Sequence, residues 1–334
     1  MSLALELIRR LVAVESPSGA EGPATTLLAE YLTGRGYQVE LQQVSPGRHN
    51  LYAFRDQPEL VFSTHLDTVP PWVPLREDDE YIHGRGSCDA KGLAAAMVEA
   101  AEHLAAEGER RVGLLFLVGE ENGSDGARAA AEITPKGRFL INGEPTGNRL
   151  SVGQKGALHV HLSVAGRAAH SAYPEEGDSA ILPLLDALER LRSMPLPEDP
   201  LLGPSTLNIG IVEGGVAANV IPPAASALML IRTVGPTDGL RAAIRERAGP
   251  RVEVRFVAEL PPVKGSAPPG WETTVVSFAS DLPFLAPWGR CFQMGPGSIR
   301  LAHTADERIA KRELREGVER YVRLARDLLA LEVS

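Results

Sequence analysis

Apolar positions along the first 150 residues follow two rhythms. Continuous runs, "LVFSTHLD" (60–67), "RVGLLFLVGE" (111–120) and "RFLINGEP" (138–145), are short and bounded by turn residues, which predicts buried strands. Between and before them lie helical patterns. "GLAAAMVEAAEHLAAEG" (92–108) is rich in alanine and ends on a glycine, and "MSLALELIRRLVAVES" (1–16) carries Glu6, Arg9 and Arg10 through its apolar positions as an amphipathic helix does. Strand-like and helix-like segments in alternation predict an α/β layer architecture.

From about Gln154 the texture changes. "ALHVHLSVAG" alternates polar and apolar residues, "DSAILPLLDALERLRSM" is an amphipathic helix, and "STLNIGIVEGG" and "SALMLIRTV" are further strands. The helix "TDGLRAAIRERAG" and the strand "RVEVRFVAEL" follow. This predicts an inserted α+β domain at about 154–260, an antiparallel sheet with helices on one face, between the two parts (1–153 and 261–334) of the first domain. The Pro/Gly-rich "PPVKGSAPPG" (261–270) returns the chain, and "KRELREGVERYVRLARDLLALE" closes it as a helix. There is no internal repeat and no low-complexity segment.

Length and composition agree with two cores: 334 residues, 44% of them hydrophobic. No apolar run reaches the length of a membrane span, and the charged N-terminal helix is unlike a signal peptide, so a cytoplasmic location is expected. A net charge of −9 disfavours nucleic acid or an anionic membrane as partner. Cys88 and Cys291 allow at most one bridge, and their spacing does not resemble a Cys-based zinc site.

Candidate chemistry gathers at strand ends. His65 and Asp67 in "STHLDTVP", Asp89 in "GRGSCDAKG", Glu120 and Glu121 in "GEENGSDG", Glu144 in "NGEPT" and His303 in "GPGSIRLAHTADE" all end a strand or occupy the loop after it. Singly, such residues are usually solvated loop groups or caps. Together they matter, because loops at the carboxyl ends of parallel strands converge on one crevice. Imidazoles and carboxylates without thiolates suit Zn²⁺ and tolerate Co²⁺ or Mn²⁺. The donors outnumber the ligands of one catalytic zinc, whereas two ions sharing a carboxylate account for them. At the end of an extended strand neighbouring side chains point to opposite sides, so Glu120 and Glu121 can take different tasks.

These motifs, with "GRAAHSAYPEEG" between them, resemble in order those of the co-catalytic zinc hydrolases that include acetylornithine deacetylase, succinyl-diaminopimelate desuccinylase, aminoacylase and carboxypeptidase G. The resemblance runs from about residue 3 to 331. It implies a zinc-peptidase-like catalytic domain, a mixed sheet flanked by helices, with an inserted lid and dimerisation domain. By resemblance His65 and Glu144 are terminal ligands of one zinc ion, Glu121 and His303 of a second, and Asp89 bridges them. Asp67 orients His65, and Glu120 is the general base. His170 is the lid histidine that donates to the oxyanion, in many members across a dimer. Asn219 in "GGVAANVIPP" and Arg232 in "LIRT" bind substrate; a strand-edge salt bridge is the structural alternative for Arg232. Backbone N–H groups near Gly297 add to the grip on a substrate carboxylate.

"GEPT" and "MGPGSIRLAHTADE" look most like the acetylornithine deacetylases and related lysine-pathway enzymes. The implied activity is removal of an acyl group, acetyl first, from a small N-acyl amino acid such as N-acetyl-L-ornithine, by a homodimer. Alternatives are a succinyl-diaminopimelate desuccinylase or lysine-pathway deacylase, a dipeptidase or carboxypeptidase, and, in another class, a non-catalytic binder of amino-acid conjugates. The presence of Glu120, His170 and every metal position argues against the last. His49, His83, His103, His159 and His161 match no motif and read as structural or exposed, and Cys88 reads as a small buried residue.

Overall fold

In the computed structural model, which describes residues 2–331, the three continuous apolar runs become neighbouring parallel strands. Val112–Leu117, Leu60–His65 and Phe139–Asn142 lie side by side, with Leu60 opposite both Val112 and Phe139. Their continuity has a simple cause, since both faces of these strands are covered. On one face Leu60, Phe62, Leu114, Phe116 and Ile141 pack with the helices Leu3–Val12, Gly22–Thr33, Lys91–Ala106 and Lys311–Leu329. On the other, Val61, Leu115, Leu117 and Leu140 pack with Ala127, Ala130, Leu285 and Trp288. The last helix places Leu314, Val318, Tyr321, Ala325 and Leu328 along one stripe at helical spacing. The result is an α/β fold with a mixed sheet between helical layers, as expected.

Further elements lie outside the pattern read above. Gln38–Ser45 and Arg48–Phe54 form an antiparallel hairpin that joins the sheet beside Val112–Leu117. Gly22–Thr33 is a helix with proline in its first turn. Arg290–Gln293 is a fourth parallel strand, beside Phe139–Asn142, and Leu150–Gln154 follows it in antiparallel sense. Its sequence, RCFQ, carries too little apolar signal to be read as a buried strand.

The chain divides into two compact units. One comprises the residues up to Val152, Gly265–Thr274 and the chain from Ser280 onwards; the other comprises Gly153–Lys264 with Val275–Ala279. The second unit holds a four-stranded antiparallel sheet ordered Thr206–Gly214, Ala224–Thr233, Gly156–Ala165 and Glu253–Leu260. Here the pattern alternates for a physical reason. Leu158, Val160 and Leu162, with Ala227, Met229 and Ile231, face the helices Ile181–Arg192 and Asp238–Ala248. His159 and His161 stand on the opposite face. Among the described residues no helix is long and apolar enough to cross a membrane.

Candidate metal centre

His65 ends its strand, is 1% exposed, and is held from both sides. Its Nε2 lies 3.1 Å from Asp89 Oδ1, while Nδ1 lies 3.0 Å from the carbonyl oxygen of Asp67 and 3.3 Å from that residue's Oδ1. Asp67 does more than orient the imidazole. Its two oxygens accept the backbone N–H groups of Glu120 and Glu121, each at 3.1 Å, and the hydroxyl of Ser18 at 2.7 Å. One carboxylate therefore fixes both the His65 ring and the turn that carries the paired acids.

That turn differs from the expected extended strand end. Glu120–Asn122 is a short 3₁₀ turn entered through Gly119 at φ 76°, where a Cβ would come within 2.0 Å of Asp125 Oδ1. Neighbouring side chains still diverge, by about 120° about the turn axis instead of the 180° of a strand. Glu121 Oε1 reaches His303 Nε2 at 2.8 Å, whereas the Glu120 carboxylate makes no hydrogen bond or ion pair among the described residues.

Asp89 lies at the centre. Its Oδ1 faces His65, its Oδ2 lies 3.5 Å from His303 Nε2, and ligand atoms of His65, Asp89 and Glu121 all lie within 4.8 Å of one another. Each Asp89 oxygen thus addresses a different imidazole. Glu144, 4% exposed, emerges two residues beyond the strand Phe139–Asn142. The turn before it is tied to the His65 strand by the Gly143 N–H to Ser63 O (2.7 Å) and by Thr64 Oγ1 to Gly143 O (2.9 Å).

The electrostatics show a surplus of negative charge. Burial, and then the charge of Glu144, push the Glu120 carboxyl well above its ordinary range; burial and Asp89 do the same to Glu144. Burial raises Glu121 in spite of His303. The imidazoles respond in the opposite sense. Contacts with Asp89 and Glu121 raise His303 to about 10, and at His65 the downward pull of burial is overcome by Asp67 and Asp89. Carboxylates beside an imidazole favour its protonated form, and a bound cation displaces such protons. The donor set fits borderline divalent cations: imidazole nitrogens and carboxylate oxygens, with the buried Cys88 Sγ turned to Ser298 O at 3.5 Å.

Sequence reasoning missed some members of this centre. Asp281 is 2% exposed, burial pushes its carboxyl up to about 7, and it adds to the negative charge felt by Glu120 and Glu144. Only an acid in the loop "SFASDLPF" marks it in the sequence. Gly297 is engaged within the fold. Its N–H already donates to Glu313 Oε1 at 3.0 Å, and at φ 93° a Cβ there would meet Cys88 Sγ at 2.6 Å, so this glycine serves close packing. His170, Asn219 and Arg232 belong to the second unit. Within it His170 is exposed and bridged to Val220, and the Ser171 N–H donates to Asn219 O at 3.0 Å, so His170 and Asn219 lie on adjoining segments. Arg232 lies on the strand Ala224–Thr233, and its charge helps burial hold His159 below the usual imidazole range.

Comparison with known proteins places this geometry in a class. The model of peptidase family M20/M25/M40 matches residues 61–327, and the chain belongs to that family. A peptidase M20 domain-containing protein of Schizosaccharomyces pombe is 38% identical, over 96% of this chain and 83% of its own length. A probable carboxypeptidase of Emericella nidulans is 37% identical, over 96% of this chain and 88% of its own. The M20 family metallo-carboxypeptidase of Sulfolobus solfataricus shares the fold with a TM-score of 0.80 at 17% identity, over 97% of this chain and 98% of that one. The chain is a metal-dependent hydrolase of this peptidase family, which removes the non-catalytic alternative. The acetylornithine deacetylase branch does not follow, since the relatives bear peptidase and carboxypeptidase names.

Proposed function

We propose that the chain is a two-metal exopeptidase of carboxypeptidase type, cleaving an amide whose amine half is an amino acid with a free α-carboxylate. The observation that carries the two-metal reading is the division of Asp89 between His65 and His303, beside a Glu120 that is bonded to neither, and the carboxypeptidase type is supported by the names of the relatives. His65 and Glu144 would hold one ion, Glu121 and His303 the other, with Asp89 shared; the nitrogen and oxygen donors favour zinc. When bound, the ions supply Lewis acidity that polarises the scissile carbonyl and acidifies the attacking water. Glu120 takes the proton from that water and returns it to the leaving amine. Asp67 keeps Glu120 in place through its N–H. The roles of His170 at the oxyanion and of Arg232 and Asn219 at the substrate carboxylate are supported by the motif resemblance alone.

A second reading, deacetylation of N-acetyl amino acids such as N-acetylornithine, has support in "GEPT" (143–146) and "MGPGSIRLAHTADE" (294–307). The bond chemistry is the same and the acyl half differs. We further propose a homodimer through the second unit. Its outer strand Thr206–Gly214 exposes Ile211 and Val212, and the helix Ile181–Arg192 exposes Leu182 and Leu185; such an edge is suited to isologous pairing.

The test is a hydrolysis panel of N-blocked dipeptides and N-acetyl amino acids, each with a free and an amidated carboxyl terminus. Hydrolysis of the free forms with the dipeptides leading supports the carboxypeptidase reading, and N-acetyl amino acids leading would transfer it to the deacetylase. Equal rates on the amidated forms would overturn both.

A further inference from the structure

Glu307 stands four residues beyond His303, and the mechanism leaves it without a task. The residue is 1% exposed. One oxygen, Oε1, accepts the backbone N–H groups of Gly86 (2.9 Å), Cys88 (3.2 Å) and Asp89 (3.2 Å). The other, Oε2, pairs with Arg85, itself 2% exposed. Arg85 also donates to the carbonyl oxygens of Pro71 (3.2 Å) and Thr304 (3.3 Å), and the Gly84 N–H donates to Glu307 O at 3.0 Å. The loop that ends in Asp89 is therefore fastened, through the N–H of Asp89 itself, to the segment that bears His303.

A buried ion pair is a poor means of stabilising a fold, because desolvation offsets most of its attraction. Three N–H donors converging on one oxygen suit an ionised carboxylate, and they fix loop positions closely. His303 needs such an anchor. Its side chain is 47% exposed, its backbone lies at φ 63°, and the neighbouring Thr304 carbonyl is held by Arg85. His65 and Glu144 have further supports that do not involve Glu307: Asp67 holds the other side of the His65 ring, and Gly143 ties the turn before Glu144 to the His65 strand.

We propose that Glu307, with Arg85, is a positioning pair that sets the spacing between Asp89 and His303, and thereby the affinity of the ion those residues share with Glu121. The inference rests on the two-ion reading above. Outer contacts of this kind change metal affinity by about 10–100-fold.

The experiment titrates metal-free wild type and Glu307→Gln with Co²⁺, followed by calorimetry and visible absorption, with thermal unfolding of both metal-free proteins as the folding control. The expected result is two ions on the wild type. In Glu307→Gln one ion should keep wild-type affinity and the other bind about 10–100-fold more weakly. Two unchanged affinities, or equal weakening of both, would overturn the proposal. A wild type that takes fewer than two ions overturns the two-ion reading and this inference with it. Should Glu307→Gln not fold, Arg85→Lys carries the test: it keeps a cation at Glu307 but loses the reach to Pro71 and Thr304. Selective weakening of one ion supports the proposal, and unchanged or equally weakened binding refutes it.

Discussion

The two largest sheets of this chain handle polar residues by different rules. In the second unit every other side chain of the central strands faces the helices, and polar residues such as His159 and His161 have a whole face to occupy. Ionisable groups there settle into exposed pairs such as Arg251–Asp178 at 2.7 Å. In the first unit the parallel strands are covered on both faces and leave no such outlet. Acids and imidazoles collect instead at the carboxyl ends of the strands, where Asp67, Asp89, Glu120, Glu121, Glu144 and Asp281 surround His65 and influence one another's protonation. A polar residue on an open sheet face needs no special explanation. A cluster of buried carboxylates does, because its dehydration must be offset by something bound or bonded there.

That contrast yields tests of decreasing size. Glu120→Gln should keep its metal and lose about 10²–10⁴-fold in kcat; metal analysis alongside turnover decides it, and a near-normal rate would remove Glu120 from the proton-transfer role. In the second unit Leu158, fully buried, anchors the sheet to its helices. Leu158→Ala should lower unfolding free energy by about 2–5 kcal/mol in denaturant melts while metal stoichiometry is unchanged. Loss of metal along with stability would show that the two cores are not energetically separate.

Asp67→Asn comes next. Both Asp67 oxygens receive N–H or O–H donors, so an amide NH₂ must face a donor, and metal affinity or kcat should fall by about 10–100-fold. Equilibrium metal titration measures the first and initial rates the second. An Asn variant equal to wild type in both would leave Asp67 as mere packing.

The smallest effect lies away from the crevice. Hydrogen bonds from Arg9 and Lys311 hold the Glu77 carboxyl at about 2, below its ordinary 4.5. A carboxyl depressed on folding stabilises the chain above its unfolded pKa, and that contribution is lost as pH falls from about 4.5 toward 2. Glu77→Gln should therefore cost less than about 1 kcal/mol at pH 7 and flatten stability across that acid window. Denaturant midpoints at pH 7 and pH 3 provide the check.

Much of this was readable from the sequence because burial on both faces writes itself as a continuous apolar run, and the residues after each run arrive at one edge of the sheet. His65, Asp89, Glu121 and His303 could be singled out by type and place, and the structure brings them within contact of one another. Arg290–Gln293 was not readable, since its polar ends find distant partners: Arg290 donates to Ser266 Oγ at 2.8 Å, and Gln293 Oε1 accepts from Ser280 at 2.7 Å. Glu307 and Ser18 were missed for a related reason. They act through backbone N–H groups or a residue 49 positions away, and neither relation leaves a local pattern. Periodicity over a few residues cannot distinguish a strand end from the 3₁₀ turn at Glu120, whose neighbouring side chains also diverge.

In the proposed centre Asp89 is shared by two cations. The most direct measurement is the metal content of the purified chain and of Asp89→Ala after equilibrium dialysis against Zn²⁺, with folding verified by circular dichroism. Two ions per chain are expected for the wild type and at most one, weakly held, for the variant. Two ions bound to Asp89→Ala with wild-type affinity would contradict that sharing.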